Sequence, residues 1–348
     1  MKKEIHVRAR ITRLAALTCL IAAAVTVALL ERPGSAIAGR ASSTITIAVT
    51  GPTATQDVPF LAQSKGYFAK RGLNVDVTLL PPAQAIAAVA AGQVQFIEGG
   101  EPGGASTIDW SSQFASSHNK PVKLLGYWQP TAGGIVMVGR PGIDSVSQLK
   151  GKTVPIAQPG GATALFVNLT LWRAGHLKPN DAKIAILSTL QAEVAAFTSG
   201  RVSAMIATQP LTTELLQGVP GSKVIFDLQK WHWVLGGIAG YMPWVQSHPG
   251  QTVKVLAAIN DALADYHSSP ADAEAVIGQV GDITDQSLLQ SAYKGSIPFI
   301  TQQVQPISAV GMEYVLQTLK KNGTPAADPR RWKEEVDNRY ALQALKIK

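Results

Sequence analysis

The sequence predicts an α/β fold in which two similar lobes, each with a mainly parallel sheet, enclose a ligand cleft. Three observations support this prediction. One supersecondary pattern occurs twice, and its two copies lie 108 positions apart, at Gly92 and Gly200. Strands alternate with helices through the first two-thirds of the chain, which indicates parallel strands with helical crossovers. The chain has 348 residues, more than one compact domain of ordinary size usually holds.

The two copies of the pattern agree in order, spacing and stop signals. In the first copy, a strand over 74–80 precedes a helix that ends at Gly92. In the second copy, a strand over 184–187 precedes a helix that ends at Gly200. Each glycine is followed by a short strand. We interpret the match as an internal duplication, and the alternative is that unrelated α/β units resemble each other by chance.

The first half of the chain follows a simple order. Residues 44–49 alternate between the two faces of a strand and are mostly β-branched, which is typical of a strand, and Thr50-Gly51-Pro52 ends it. A helix over 58–64 leads into the first repeat copy. Three further elements are predicted before residue 140: a helix over 103–114 and strands over 122–126 and 135–139.

The second half begins with a short helix over 144–150 that turns into a strand ending at Ile156. Pro159-Gly160-Gly161 then opens a helix over 163–173. From Gln251 onward the pattern is mostly helical, and we expect this tail to pack around one lobe. The other predicted elements are a strand over 204–207, a helix over 210–216, strands over 224–226 and 234–241, and helices over 253–266, 271–280, 285–293 and 307–319.

The N-terminal segment has the pattern of a secretory signal peptide. Basic residues between Lys2 and Arg13 precede an uncharged run over 14–30, and Ser35-Ala36-Ile37-Ala38 fits the cleavage pattern. We expect export by the general route, cleavage after about Ala38 and a periplasmic location. The apolar run is also just long enough to cross a bilayer, so an uncleaved anchor is the alternative.

Removal of this segment changes the composition. The one cysteine, Cys19, lies inside it, so the mature chain has no thiol for a disulfide, a nucleophile or a metal site. The segment contains six Lys/Arg and two Asp/Glu, so the net charge falls from +8 to +4. The remaining basic residues are scattered, and a nucleic-acid partner is therefore not expected.

Four segments of the chain resemble one protein family. Lys65-Gly66-Tyr67-Phe68 with Gly72-Leu73-Asn74-Val75 resembles the KGYF…GL.V signature of the substrate-binding proteins of ABC importers. Residues 85–96 resemble that family's ALasGevDF segment, residues 145–154 resemble its sv.dLkGKtV segment, and Gly160-Gly161-Ala162-Thr163 resembles the GS loop that opens its next helix. The similarity runs from about residue 44 to residue 249 and indicates the nitrate/sulfonate/taurine and thiamine-pyrimidine-precursor (NMT1-like) branch.

The resemblance implies a type II periplasmic-binding-protein fold whose two lobes are joined by two crossings. The expected domains are the signal peptide (1–38), a first lobe (39–136 and 236–348) and a second lobe (137–235). The expected partners are one small-molecule ligand and an ABC permease of the inner membrane, and a monomer is expected. The ligand would be a sulfonate, an amine, a pyrimidine-like compound or nitrate.

Candidate site residues follow from the rule that ligands bind beyond the carboxyl ends of the strands in open α/β sheets. Loops there contain no Lys or Arg, so backbone amides, hydroxyls and glutamine amides would hold an anion. Glu98 departs from the family pattern and would suit an amine or a ring N–H if it faced the cleft; the alternatives are that it points into solvent or caps a helix. Trp128 would either stack on a ligand or pack at the hinge between the lobes. The candidates are Gly51, Thr53, Gln56, Gln84, Glu98, Gly99, Trp128, Gln158, Gly160, Gly161, Thr163 and Gln209.

Catalysis is not expected. The histidines are isolated and lack metal-ligand spacing, so no metal and no cofactor are predicted. Gly151-Lys152-Thr153 is not a phosphate-binding loop, because position 146 is Val and a strand follows the motif. Two alternatives to a receptor are an enzyme similar to the thiamine-pyrimidine synthases and a sensory domain that the uncleaved segment would tether to the membrane.

Overall fold

The computed structural model describes residues 44–98, 121–157, 162–178, 180–231, 235–321 and 328–347. Several predictions fall outside these ranges: the signal segment, the helix over 103–114, and the site residues Gly99, Gln158, Gly160 and Gly161.

Five strands form the larger sheet: β1 (Ile45–Val49), β2 (Val75–Leu79), β3 (Phe96–Glu98), β4 (Val122–Gln129) and β10 (Leu235–Tyr241). Their order is β2-β1-β3-β10-β4. β1 pairs in parallel with β2 and β3, and β10 runs antiparallel to its neighbours β3 and β4. Four strands of this sheet therefore point in one direction and β10 points in the other.

The remaining strands form two smaller sheets: β5 (Val136–Gly139), β6 (Thr153–Ile156), β7 (Lys183–Ile186), β8 (Ala204–Ala207) and β9 (Lys223–Asp227). β5 lies between β8 and β9 and runs antiparallel to both, whereas β6 and β7 pair in parallel. The Ser203 N–H donates to the Thr153 carbonyl at 2.8 Å, and this bond connects the two small sheets. We call the large sheet with its helices one strand system and the two small sheets with theirs the other. β5 and β10 run antiparallel to their neighbours, and each is the first strand after the chain passes from one strand system to the other.

Twelve helices are described: α1 (Val58–Ser64), α2 (Tyr67–Lys70), α3 (Pro82–Ala90), α4 (Ala162–Leu169), α5 (Leu190–Thr198), α6 (Leu211–Gly218), α7 (Met242–Ser247), α8 (Pro249–Ser268), α9 (Pro270–Gly281), α10 (Gln286–Ser296), α11 (Ala309–Lys321) and α12 (Arg339–Ala344). α4 continues into a π-helical turn over Thr170–Ala174.

The duplicated unit is present in the structure with the predicted spacing. β2, α3 and β3 begin at residues 75, 82 and 96, and β7, α5 and β8 begin at residues 183, 190 and 204, each 108 positions later. Gly92 and Gly200 both adopt the left-handed conformation, with φ of 72° and 82°. The same hydrogen bond closes each helix, from Gly92 N–H to the Val89 carbonyl at 3.0 Å and from Gly200 N–H to the Phe197 carbonyl at 3.1 Å.

Each strand system has apolar cores on its surfaces. Ile45, Ile47 and Val49 of β1 lie in one core and Ala48 lies in another, so β1 is covered on both faces. α8, α9 and α10 pack on the core that contains Ile45.

α11 contacts more than one core. Its Met312 lies in the core that contains Ala48, whereas Val315 and Leu316 lie in the core of the small sheets, with Phe166. The expectation that the helical tail packs around one lobe therefore needs correction for α11, because its apolar side chains face both strand systems.

Candidate functional site

A cavity of about 640 Å³ lies between the large sheet and the small sheets. Its walls include Gly51 in the loop after β1, Ala157 after β6 and Thr208 after β8. All three follow the carboxyl end of a strand, which is where open α/β sheets bind ligands. Gly281 and Ile283, between α9 and α10, close the side of the cavity that belongs to the large sheet.

Five of the predicted site residues line this cavity: Gly51, Thr53, Gln56, Thr163 and Gln209. Two come from the expected second lobe and three from the first, so the cavity brings together residues more than 100 positions apart in sequence. Gln84, Glu98 and Trp128 are not part of the lining.

Gln56 is almost fully buried and is held by three side-chain hydrogen bonds. Its Nε2 donates to Thr50 Oγ1 at 3.1 Å and to Glu98 Oε2 at 2.9 Å, and its Oε1 accepts from Thr53 Oγ1 at 3.0 Å. A Cβ at Gly51 would lie 3.0 Å from this Oε1. Gly51 therefore leaves the room that the Gln56 amide needs beside the cavity.

Glu98 does not face the cavity, which corrects the hypothesis that its carboxylate meets a ligand. β3 lies between β1 and β10, and the Glu98 side chain at its end is fully buried. Burial raises the pKa of Glu98 well above its ordinary value, and the nearby Asp57 raises it further. Glu98 accepts the Gln56 bond through Oε2, and no described residue bonds its Oε1. Its role is to orient Gln56 from behind the cavity wall.

Trp128 does not stack on a ligand in this arrangement, because its side chain is fully buried in the core of the large sheet. Its indole Nε1 donates to the Thr55 carbonyl at 2.9 Å. Tyr266 Oη donates to the Ala54 carbonyl at 2.5 Å. The two aromatic side chains thus hold the loop that carries Gly51, Thr53 and Gln56.

Gln84 is exposed near the start of α3 and contributes nothing to the cavity wall. Its equivalent in the second repeat copy, Ala192, also lies outside the lining, although its neighbours Gln191 and Glu193 belong to it. Among the residues whose side chains are described, the lining therefore includes the helix start of the second copy and not that of the first.

One backbone bond joins the two strand systems beside the cavity. The Ala54 N–H donates to the Gln209 carbonyl at 3.2 Å. The Gln209 side chain accepts from Thr213 Oγ1 at 2.9 Å through its Oε1. Gln209 thereby contacts both the loop after β1 and the first turn of α6.

Two carboxylates in the lining were missed by the sequence reasoning. Glu193, in the first turn of α5, is almost fully buried, and Glu214 lies in the first turn of α6. Partial burial raises the pKa of Glu214. The sequence could have indicated both residues, because each glutamate lies in the first turn of the helix that follows a strand, just beyond the carboxyl end of that strand.

The described lining contains no Lys, Arg or His. Among the described residues, no three His, Cys, Asp or Glu side chains are grouped so that they could hold a metal ion. Within the same ranges, no helix combines the length and the apolar character that crossing a membrane requires.

Comparison with known proteins gives one family and a common fold. The family model described as NMT1/THI5 like matches residues 58–273, more than half of the chain. None of the curated proteins searched matches the sequence.

Three solved structures illustrate the likeness. The periplasmic aliphatic sulphonate binding protein SsuA from Escherichia coli is 18% identical with a TM-score of 0.68, over 85% of this chain and 92% of that one. The alkanesulfonate-binding protein SsuA from Xanthomonas axonopodis pv. citri, bound to MOPS, is 16% identical with a TM-score of 0.63, over 86% and 97%. The periplasmic nitrate-binding protein NrtA from Synechocystis PCC 6803 is 14% identical with a TM-score of 0.64, over 88% and 90%. These similarities confirm the predicted fold class.

Proposed function

Because the chain belongs to the NMT1/THI5-like family, as its motifs predicted, we propose that it is the solute receptor of an ABC importer. In this proposal it is exported to the periplasm, acts as a monomer, binds one small organic ligand and delivers it to a permease of the inner membrane. The observation that carries the proposal is the cavity between the two strand systems, whose walls include Gln56 from one side and Gln209 from the other.

The cavity has the properties of a ligand site. Its volume of about 640 Å³ is within the range of roughly 300–1,000 Å³ that is typical of small-molecule pockets. Its walls combine apolar side chains such as Ile206 and Ile283 with hydroxyl and amide groups. Solved structures with the same fold are named for binding sulfonates and nitrate, which supports a small, polar ligand for this chain.

Lobe closure is the mechanism we propose. The lobes are residues 39–136 with 236–348, and residues 137–235, and the passages after β4 and after β9 connect them. A ligand that contacts both lobes binds the closed form more tightly and shifts the open–closed equilibrium toward it. The bond between Ala54 and Gln209 would form in the closed state and break on opening.

An enzyme similar to the thiamine-pyrimidine synthases is the main alternative. The described cavity lining has carboxyl, hydroxyl and amide groups but no His, Lys or Cys. Such a set of side chains argues against covalent catalysis through Lys, His or Cys, whereas its carboxyl groups are able to transfer protons. A tethered sensory domain would differ from a receptor only in keeping the N-terminal segment.

Two measurements on protein purified from its own host test the receptor proposal. Native mass spectrometry is expected to show a small molecule that is lost on unfolding. N-terminal sequencing is expected to start near Gly39, whereas an intact N-terminus would favour the tethered domain. Turnover of the bound molecule by the purified protein would replace the receptor proposal with the enzyme.

A further inference from the structure

Resting on the receptor function and the closure proposed above, we infer that Gly295 positions Gln209 for closure. The missing side chain of Gly295 leaves a notch in α10, and the Gln209 side chain fits into this notch when the two strand systems approach each other around a ligand. Gly295 is not part of the described cavity lining. It acts through Gln209 and is therefore a positioning residue.

The contact between Gly295 and Gln209 joins the two strand systems. Gly295 lies near the end of α10, which packs on the core of the large sheet, whereas Gln209 follows β8 of the small sheets and lines the cavity. A Cβ at Gly295 would lie 2.7 Å from Gln209 Nε2, 3.0 Å from its Cγ and 3.1 Å from its Cδ. Because packed carbon atoms ordinarily approach each other to about 3.5–4.0 Å, a methyl group does not fit between these two residues.

Gln209 is held in this place by two hydrogen bonds. Its backbone carbonyl accepts from the Ala54 N–H at 3.2 Å, and its side-chain Oε1 accepts from Thr213 Oγ1 at 2.9 Å. A Gln209 side chain that moved away from α10 would lose the Thr213 bond or change its place in the cavity wall. Gln209 therefore transmits a disturbance at Gly295 to the cavity.

The end of α10 is also fixed, and it lies beside the first passage between the strand systems. Tyr293 is buried in the core of the large sheet, and Phe299, three residues beyond α10, packs on the passage after β4. A Cβ at Gly133 in that passage would overlap the Phe299 ring, and one at Gly134 would lie 4.0 Å from the Gly295 carbonyl oxygen. The notch thus lies next to the proposed hinge, where a small obstacle keeps the distant ends of two lobes apart.

A methyl group at Gly295 has opposite effects on the open and closed states. Gly295 is a helical residue without positive φ. Alanine is a better helix former than glycine, so Gly295→Ala stabilises α10 in the open state. In the closed state the same methyl group overlaps the Gln209 side chain, and overpacking of this kind is destabilising. The variant therefore shifts the open–closed equilibrium toward the open state.

The test begins with the choice of a probe by native mass spectrometry of the protein purified from its host. Nitrate, taurine, ethanesulfonate and MOPS are screened together with the molecule that co-purifies, and the compound that binds most tightly becomes the probe. Titration calorimetry and stopped-flow kinetics then compare wild type with Gly295→Ala. We expect an affinity about tenfold lower in the variant, with a faster dissociation of the probe and an unchanged association rate constant.

Thermal unfolding distinguishes positioning from a purely structural role. Without the probe, Gly295→Ala should unfold at the temperature of wild type or at a higher one, because its methyl group meets no obstacle in the open state. With saturating probe, its melting temperature should rise less than that of wild type. Gly250→Ala is the matched control and should change neither quantity, because Gly250 is an exposed residue of α8 and a Cβ there would meet nothing within 4 Å.

A double-mutant cycle tests whether Gly295 acts through Gln209. Gln209→Ala is expected to weaken binding of the probe by itself, because Gln209 lines the cavity. It also removes the three atoms that a Cβ at Gly295 would overlap. In the Gln209→Ala background, Gly295→Ala should therefore change the affinity by less than about twofold.

The outcomes separate this inference from the receptor function. An affinity of Gly295→Ala equal to that of wild type, a lower melting temperature of this variant without the probe, or additive effects in the cycle each overturn the role of Gly295 and leave the receptor function standing. An equal loss of affinity in Gly250→Ala overturns it as well. Retention of no compound by wild type contradicts the receptor proposal, and the inference then fails with it.

Discussion

At the residue scale, the site depends on a buried polar chain that orients Gln56. Thr50, Thr53 and Glu98 fix both ends of the Gln56 amide, so the group enters the cavity wall in one orientation. Because the side chain is already ordered, less conformational entropy is lost when a ligand binds. This arrangement lowers the stability of the folded state, because Glu98 is a fully buried carboxyl and no described residue bonds one of its oxygens.

Burial of Glu98 predicts a pH dependence of stability. Its pKa in the folded protein is raised above the ordinary value of 4.5, so between these two values the folded state holds a proton that the unfolded state has lost. The free energy of unfolding therefore falls as the pH rises from 4.5 toward the folded pKa, by about 1.4 kcal/mol per pH unit from this group. Glu98→Gln removes this contribution.

Urea unfolding of wild type and Glu98→Gln at a series of pH values measures the effect. The variant is expected to gain stability relative to wild type as the pH rises above 4.5. Asp57 has a raised pKa for the same reason and remains in both proteins, so the difference between the two pH profiles reports Glu98 together with its interaction with Asp57. Parallel pH profiles for the two proteins would contradict the prediction.

Trp128 gives a second prediction at this scale. Trp128→Phe keeps most of the apolar surface but removes the N–H that bonds the Thr55 carbonyl. We expect a loss of roughly 1–3 kcal/mol in the free energy of unfolding, together with weaker ligand binding, because the loop with Gln56 loses an anchor. Trp172→Phe, at a side chain that is 48% exposed, should change the unfolding free energy by less than about 0.5 kcal/mol. Equal effects in the two variants would show that the Trp128 hydrogen bond contributes nothing specific.

At the element scale, the duplicated β-α-β unit was predictable from sequence because its signals are local. The glycines that end α3 and α5 adopt positive φ, a conformation that a side chain disfavours, so glycine stands at the same place in both copies. The orientation of Glu98 was not predictable, because it depends on the pairing of β3 with β10, a strand that is distant in the sequence. Glu193 and Glu214 were missed for a similar reason, since only the packed sheets show which helix starts meet at the cavity.

The two stop glycines are expected to differ in their tolerance of alanine. Both have positive φ, which costs an alanine roughly 1–2 kcal/mol. A Cβ at Gly92 would also lie 2.9 Å from Tyr241 Cε1, whereas the nearest atom to one at Gly200 is 3.5 Å away, on Arg140. Gly92→Ala should therefore lower the free energy of unfolding more than Gly200→Ala does.

Chemical denaturation of both glycine variants measures this difference. Gly218→Ala is the control, because Gly218 ends α6 without positive φ and a Cβ there would meet nothing within 4 Å. Its free energy of unfolding should equal or exceed that of wild type. A larger loss in Gly200→Ala than in Gly92→Ala would refute the packing argument at Tyr241.

At the scale of the whole molecule, two strand systems share one cavity, and short passages connect them. The chain leaves the large sheet after Gln129 and forms β5 at Val136, and it returns after Asp227 to form β10 at Leu235. In the closure that we propose, these two connections would restrict relative motion to a hinge. α11 contacts the cores of both systems, so closure has to preserve or repack the contacts of Met312 and Val315.

Closure predicts a change in distance that spin labels can measure. Ser188 and Thr284 are both exposed. Ser188 precedes α5 and Thr284 follows Ile283, and these two segments line the cavity from different strand systems. Labels on Ser188→Cys and Thr284→Cys in a Cys19→Ser background should approach each other and show a narrower distance distribution in pulsed EPR when the compound identified by native mass spectrometry is added. Asp76→Cys with Thr284→Cys is the control pair, because both residues belong to the system of the large sheet, and its distance should stay constant. If the first pair behaves like the control, ligand binding occurs without hinge motion, and the closure mechanism has to be replaced by binding to a rigid cavity.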